Sequence, residues 1–435
     1  MNYRIGLDIG TTATKACAFS EEGKMIGLVE RDYALEQDEP GQATQDPEAV
    51  LTAAAEALKA LIDCTEGQPL SVGLSCPMHS VILLDEDKAP ISPVYTWADT
   101  RGVAVMDRFS EEQRREFHRQ TGTPVHPMAP LVTLLWLREE ESELFKRAAY
   151  TSDLKSLLVH RWSTAGLVID EQCASATGMM CLRTDDWLDQ IREFLGKDLP
   201  ELPRIKPANH QLMWREEVAA QCGTEAVELY LGGSDGVLAS YATAVTTPGH
   251  VAMSIGTSGA VRTRTSSHKV DPDLGLFVYK LTDGDYVLGG PTNNGGKVLE
   301  YWQELLGSHF SDIAAFVDAA LATAPEECPI FVPWLNGERA PVWDAAASAE
   351  LKGLRGYHTP AHIARAVLEG VTDNIVCILK NLEAATVPTE KILISGGVTR
   401  SAGWVELIGE RAGCAIEEAR AAQASAYGAA LVYRL

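Results

Sequence analysis

Two short segments rich in glycine and threonine stand out for the chemistry they could do. Asp8-Ile9-Gly10-Thr11-Thr12-Ala13 lies near the start of the chain, and Ser254-Ile255-Gly256-Thr257-Ser258-Gly259 lies in its second half. Each follows a strand-like run and precedes another, so each reads as a hairpin offering backbone N–H groups and hydroxyls. One reading is a pair of hairpins clamping a single phosphate chain from two sides; the other is two unrelated turns that use these residues for backbone reasons. Asp235 sits in Gly233-Ser234-Asp235-Gly236. A carboxylate there can accept the proton of an alcohol as it attacks phosphorus, although the same pattern also makes a helix N-cap. Asp8, at a strand end beside the first hairpin, can hold Mg²⁺ through water or simply end the strand.

Other chemistries are excluded by spacing. Lys297 follows Gly296, but Pro291 stands where a Walker A loop has its first glycine and Val298 where it has a hydroxyl. His358 and His362 are four residues apart with Pro360 between them and no glutamate of the H-E-x-x-H kind, which reads as a helix start.

The elements that must position these groups alternate along the chain. Tyr3–Ile9, Ala16–Phe19 and Met25–Val29 read as a β-meander, and Asp46 and Pro47 open a helix whose Val50, Ala54, Leu58 and Leu61 share a face. Leu70–Ser75 and Val81–Leu84 read as strands. A second series starts near Gly232 and runs through Val251–Ile255, Gly284–Leu288 and Ile392–Ser395. Such alternation predicts α/β architecture in two domains, 1–233 and 234–435, packed closely around a cleft.

Composition narrows the function classes. The chain has 435 residues, and 37 Lys+Arg against 60 Asp+Glu give a net charge of -23. That charge argues against a nucleic-acid or anionic-membrane partner, because no basic run offsets it. The 9 cysteines form no C-x-x-C pair, which suits a reduced, cytoplasmic chain without disulfides or structural zinc. No apolar stretch is long enough to span a membrane, and no signal segment is evident.

Several separated motifs, in order, resemble the FGGY carbohydrate kinases of the actin/hexokinase-like ATPase superfamily. The opening phosphate hairpin of that family is similar to Asp8–Lys15, its second phosphate segment to Gly256-Thr257-Ser258-Gly259, and its adenosine segment to Ser395-Gly396-Gly397-Val398. The C-terminal signature is matched at Ala349–Leu354, His362-Ile363 and Ala366–Glu369, and the N-terminal one at Met128–Pro130 and Trp136–Glu140, with Thr133 in place of a lysine. The chain is also shorter than is usual for the family. Within it, the resemblance is greatest to members that phosphorylate gluconate, through Met78-His79-Ser80, Thr96–Arg101, Thr121–Met128, Ala174–Met180, Gly289–Gly296 and Gly337–Pro341.

The resemblance implies two ribonuclease H-like domains and an interdomain catalytic cleft. It implies ATP on Gly10, Thr11, Thr12, Lys15, Gly256, Thr257, Gly396 and Gly397, Mg²⁺ beside Asp8 and Asp235, and Asp235 as the base. The sugar would meet His79, Trp97, Asp99, Arg101 and Asp235, with Arg101 a donor to a substrate carboxylate. For these sugar-side residues the alternative is a buried tryptophan with a structural Asp-Arg pair. The expected reaction is phosphorylation of a sugar acid such as D-gluconate to 6-phosphogluconate; a ketopentose or polyol kinase is the alternative, and an actin-like sugar or nucleotide sensor the non-enzymatic one. A homodimer is compatible with this reading.

Overall fold

The computed structural model describes residues 1–224, 226–243, 247–419 and 423–435, and it contains two six-stranded mixed sheets. In the first, β1 (Asn2–Ile9), β2 (Ala13–Ser20) and β3 (Met25–Asp32) form an antiparallel meander. Then α1 (Pro47–Cys64) begins where the Asp46 side chain accepts the Glu48 N–H, and it buries Val50, Ala54, Leu58 and Leu61. It leads to β4 (Gln68–Cys76), parallel to β1. After α2 (Leu154–Trp162) and the short α3 (Glu171–Ser175), β5 (Glu228–Ser234) joins parallel to β4, and Gln211–Leu212 adds an antiparallel edge.

The helix α4 (Asp235–Ala242) connects to a second sheet with the same plan. Its antiparallel part is β6 (His250–Ile255), β7 (Gly259–Thr265), β8 (Phe277–Thr282) and β9 (Asp285–Thr292). Helices α5 (Gly296–Leu306) and α6 (Pro360–Ala385) follow, and β10 (Lys391–Ser395) and β11 (Ala415–Glu418) extend the sheet parallel to β6. Each sheet has its own apolar core. Parallel neighbours end on the same sheet edge, and in open α/β sheets ligands bind beyond those C-terminal ends. Ile9, Cys76 and Ser234 close one such edge, and Ile255 and Ser395 the other.

The chain end does not stay with the second sheet. Helix α7 (Ala424–Ala430) lies on the first, so close that a Cβ on Gly6 would stand 1.8 Å from the Ala426 carbonyl oxygen and one on Gly73 2.0 Å from that of Ala429. Residues assigned by sequence to 234–435 therefore complete the packing of the first domain. All nine cysteines are free. His358 and His362 stand at the start of α6, where His362 Nδ1 accepts the Thr359 N–H at 3.1 Å. Among the described residues no helix is long and apolar enough to cross a membrane.

Candidate active site

Register brings the two expected acids together. Asp8 on β1 lies beside Ser75 on β4, and Ser75 beside Gly233 on β5, so Asp8 and Asp235 stand on either side of the β4 end at one sheet edge. The Ser75 hydroxyl donates to Asp8 at 2.6 Å. Burial raises the Asp8 carboxyl above its ordinary value, against the Ser75 bond and the charge of Lys15. Asp235 rises from 3.8 to about 6, first because protein surrounds it at the cleft floor and then because Asp8 is negative nearby. It keeps partial access to the cleft. The helix-cap alternative belongs to its neighbour: Ser234 accepts the Val237 N–H, and Asp235 is the first residue of α4. The Ser234 N–H is held by Gln172 of α3, whose amide also donates to Leu281 O on β8, so one side chain ties the acid's strand to the second sheet.

Both glycine/threonine turns present donors. Gly10 N–H closes the first hairpin on Ala13 O, and its carbonyls are taken by Tyr33 OH at 2.7 Å on Gly10 and by Gln45 at 2.7 Å on Thr11. In the second, Gly256 N–H bonds Ser258 O, while the Gly256 and Thr257 carbonyls receive the Gly296 and Lys297 N–H groups of α5. The carbonyls are thus occupied, and the N–H groups of Thr11, Thr12, Thr257 and Ser258 have no acceptor among the described residues. That is the polarity an anion requires. Gly396, at φ 93, lets the end of β10 approach β6: a Cβ there would be 2.5 Å from Ile255 O. Gly396 and Gly397 therefore adjoin the second hairpin. Lys15 lies opposite Asp8 across the β1–β2 ladder and pairs with Glu30 at 3.5 Å.

On the sugar side the expected residues divide. His79 is buried at φ 72, a strained backbone for a residue other than glycine. Burial, reinforced by Arg339, pushes its imidazole down to about 3, so it is neutral at physiological pH. The Trp97 indole donates to Thr11 Oγ1 at 3.2 Å, joining the sugar segment to the phosphate hairpin. Asp99 and Arg101, by contrast, are committed to each other. Arg101 Nη2 donates to Asp99 at 2.6 Å and its Nε at 3.1 Å, the remaining Asp99 capacity goes to the Ala43 and Arg101 N–H groups, and the guanidinium stacks on Trp136 at 4.8 Å. In this arrangement the two groups expected to meet the sugar are bonded to each other, and the pair braces the segment that carries Trp97. Thr133 is buried in the helix Pro130–Glu140, its hydroxyl 3.5 Å from Ala129 O.

Three further cleft residues were not singled out from the sequence. Arg262 leaves β7 toward the start of α4, Arg339 stands 5.6 Å over the Trp97 ring, and His126 lies in the Thr121–Met128 loop. The sequence signal was faint: one of two arginines in a short strand, and two residues inside segments that carry the family resemblance.

The family models settle the class. The FGGY family of carbohydrate kinases matches with its N-terminal domain over residues 3–242 and its C-terminal domain over residues 251–433. The chain belongs to the FGGY carbohydrate kinases. It is thus a phosphotransferase with an alcohol group as acceptor and ATP as donor. It is 33% identical over 424 residues to a gluconokinase of Bacillus subtilis (strain 168), covering 94% of this chain and 82% of that one. A xylulose kinase of the same organism is 25% identical over 442 residues, covering 99% and 88%. Among solved structures, a gluconate kinase from Lactobacillus acidophilus superposes with a TM-score of 0.94 at 32% identity, covering 100% of this chain and 89% of that one. A ligand-bound structure from that organism, described as a xylulose kinase, gives the same values.

Proposed function

We propose that this FGGY kinase transfers the γ-phosphoryl group of ATP to the terminal hydroxyl of a sugar acid, D-gluconate giving 6-phosphogluconate. The observation that carries the chemistry is Asp235: a carboxyl near 6, partly exposed, at the same sheet edge as the first turn, whose Thr11 and Thr12 N–H groups have no acceptor among the described residues. Asp235 accepts the proton of the 6-hydroxyl as its oxygen forms the bond to phosphorus. The bond from phosphorus to the β,γ-bridging oxygen breaks, and ADP leaves. Thr11, Thr12, Thr257 and Ser258 donate to the phosphate oxygens, and Trp97 and His79 flank the sugar. The residues also fit Mg²⁺, because Asp8 and Asp235 are two half-sheltered acids raised by burial, their charges only partly offset by Lys15 and Arg262. When bound, the ion would neutralise phosphate charge.

Gluconate is supported by the 33% identity to gluconokinases and by cationic side chains in the cleft. The second reading, a ketopentose kinase, draws on the Lactobacillus structure described as a xylulose kinase. ADP release measured over a panel of aldonates, ketoses and polyols separates them. Gluconate should lead in kcat/KM; a panel led by xylulose or another neutral sugar would overturn the sugar-acid reading.

A further inference from the structure

Two guanidiniums in the cleft make no direct ion pair among the described residues: the charge of Asp235 acts on Arg262 and that of Glu338 on Arg339 without a bond between the side chains. Arg262 makes no hydrogen bond or ion pair among the described residues. Its path is built for it. Gly289 faces it across the β7–β9 ladder, where a Cβ would lie 3.0 Å from Arg262 Cγ, and Gly236 faces its tip, where a Cβ would lie 3.3 Å from Nη2. The guanidinium is thereby carried from the second sheet to the turn that holds Asp235. The Arg339 side chain makes one hydrogen bond among the described residues, from Nη2 to Thr292 O at 3.2 Å, and its buried Nε has none.

The neighbouring acid offsets the charge of Arg339 without bonding its guanidinium. Glu338 is fully buried and saturated by other donors: Thr292 Oγ1 at 2.6 Å, Asn374 Nδ2 at 2.8 Å, Asn294 Nδ2 at 3.1 Å, and the Asn293 and Arg339 N–H groups. It anchors the loop that presents the arginine and leaves the guanidinium unpaired. Two more buried polar atoms without partners adjoin it, His79 Nδ1 and His126 Nε2. His126 Nδ1 accepts the Met128 N–H at 3.3 Å, so its Nε2 carries the proton and is a donor. Burial, and then Arg339, hold His126 down at about 3, which shows that the three groups share one electrostatic environment and that both imidazoles stay neutral. Orphaned buried donors converging from two domains are costly unless a ligand satisfies them.

We propose that Arg339 and His126 hold the carboxylate of the substrate, with Arg262 spanning the interval to Asp235. Arg339 approaches from the second domain and His126 from the first, so an anion between them ties the domains together. A neutral sugar would leave the same donors unsatisfied. This assignment rests on the sugar-acid reading above and names the residues that enforce it.

The test compares D-gluconate with its neutral isostere D-gluconamide by ADP release. The wild type should prefer gluconate in kcat/KM by roughly 10- to 150-fold, the usual worth of a charge-assisted hydrogen bond. Arg339→Gln should bring the ratio toward one with the KM for ATP unchanged, whereas Arg339→Lys should keep part of it. His126→Phe should lower the ratio several-fold, and His126→Gln, which retains a donor at the corresponding position, should restore it. A wild-type ratio in Arg339→Gln would overturn the subsite while leaving the sugar-acid reading intact. If the wild type turns over a neutral sugar and not gluconate, the reading and the subsite fall together. Circular dichroism and thermal melting of each variant exclude misfolding as the cause.

Discussion

Asp235→Asn keeps the shape of the side chain and removes its ability to take a proton. Turnover should fall by roughly 10²- to 10⁴-fold, the usual contribution of a positioned general base. The same change should stabilise the fold. Burial and the charge of Asp8 hold the wild-type carboxyl near 6 in place of 3.8. At about 1.4 kcal/mol per tenfold change, ionising it in the folded chain costs about 3 kcal/mol. Its partial access to solvent in the cleft reduces this to about 1–2 kcal/mol. A carboxyl that holds its proton more tightly when folded destabilises the native state only where it is ionised. The stability gained by the asparagine variant is therefore absent below the unfolded value of 3.8, grows as pH rises, and is complete above about 6. For a domain of this size the gain corresponds to a melting shift of roughly 2–5 °C. ADP-release kinetics and melting curves from about pH 4 to about pH 8 measure both effects. The wild-type kcat/KM should show an acid limb near the same pH of about 6. A variant with near-normal turnover, or one less stable than wild type above that pH, would refute the reasoning.

Lys155 and Asp170 are fully buried and 2.5 Å apart; although burial disfavours the ammonium, the Asp170 charge holds it above an ordinary lysine. Lys155→Met should destabilise by about 3–5 kcal/mol, and Lys155→Met with Asp170→Asn should recover part of that; a melting temperature unchanged in the single variant would contradict it. Gly236→Ala places a Cβ 3.1 Å from Met78 Cε and 3.3 Å from Arg262 Nη2 and should raise the KM for the sugar more than that for ATP. Equal changes in the two would detach this Met78–Arg262 face from the sugar. If the two hairpins clamp one phosphate chain, saturating Mg-nucleotide with sugar should make the molecule more compact in solution scattering, and an unchanged profile would count against the clamp.

The local elements were legible because their causes are local. Asp46 and Pro47 specify the start of α1 by capping geometry, the glycine/threonine turns mark hairpins by their backbone freedom, and the His358/His362 pair reads as a helix start from its proline. The motif order was likewise enough to name the family and to pick out Asp8 and Asp235 as the acids to examine. What the sequence could not settle was which polar side chains are already satisfied. Arg101 looked available, yet Asp99 two residues away takes its Nε and Nη2. Adjacency in sequence likewise does not show that Glu338 leaves the Arg339 side chain unbonded, because five donors, three of them side chains from distant segments, saturate that carboxylate. Nor does a strand pattern reveal that Gly289 and Gly236 clear a path for Arg262, or that α7 returns to the first sheet against Gly6 and Gly73. Helix starts and turns depend on a few neighbouring residues, whereas the free valence of a buried charge depends on every element packed around it, and only the tertiary structure brings those elements together.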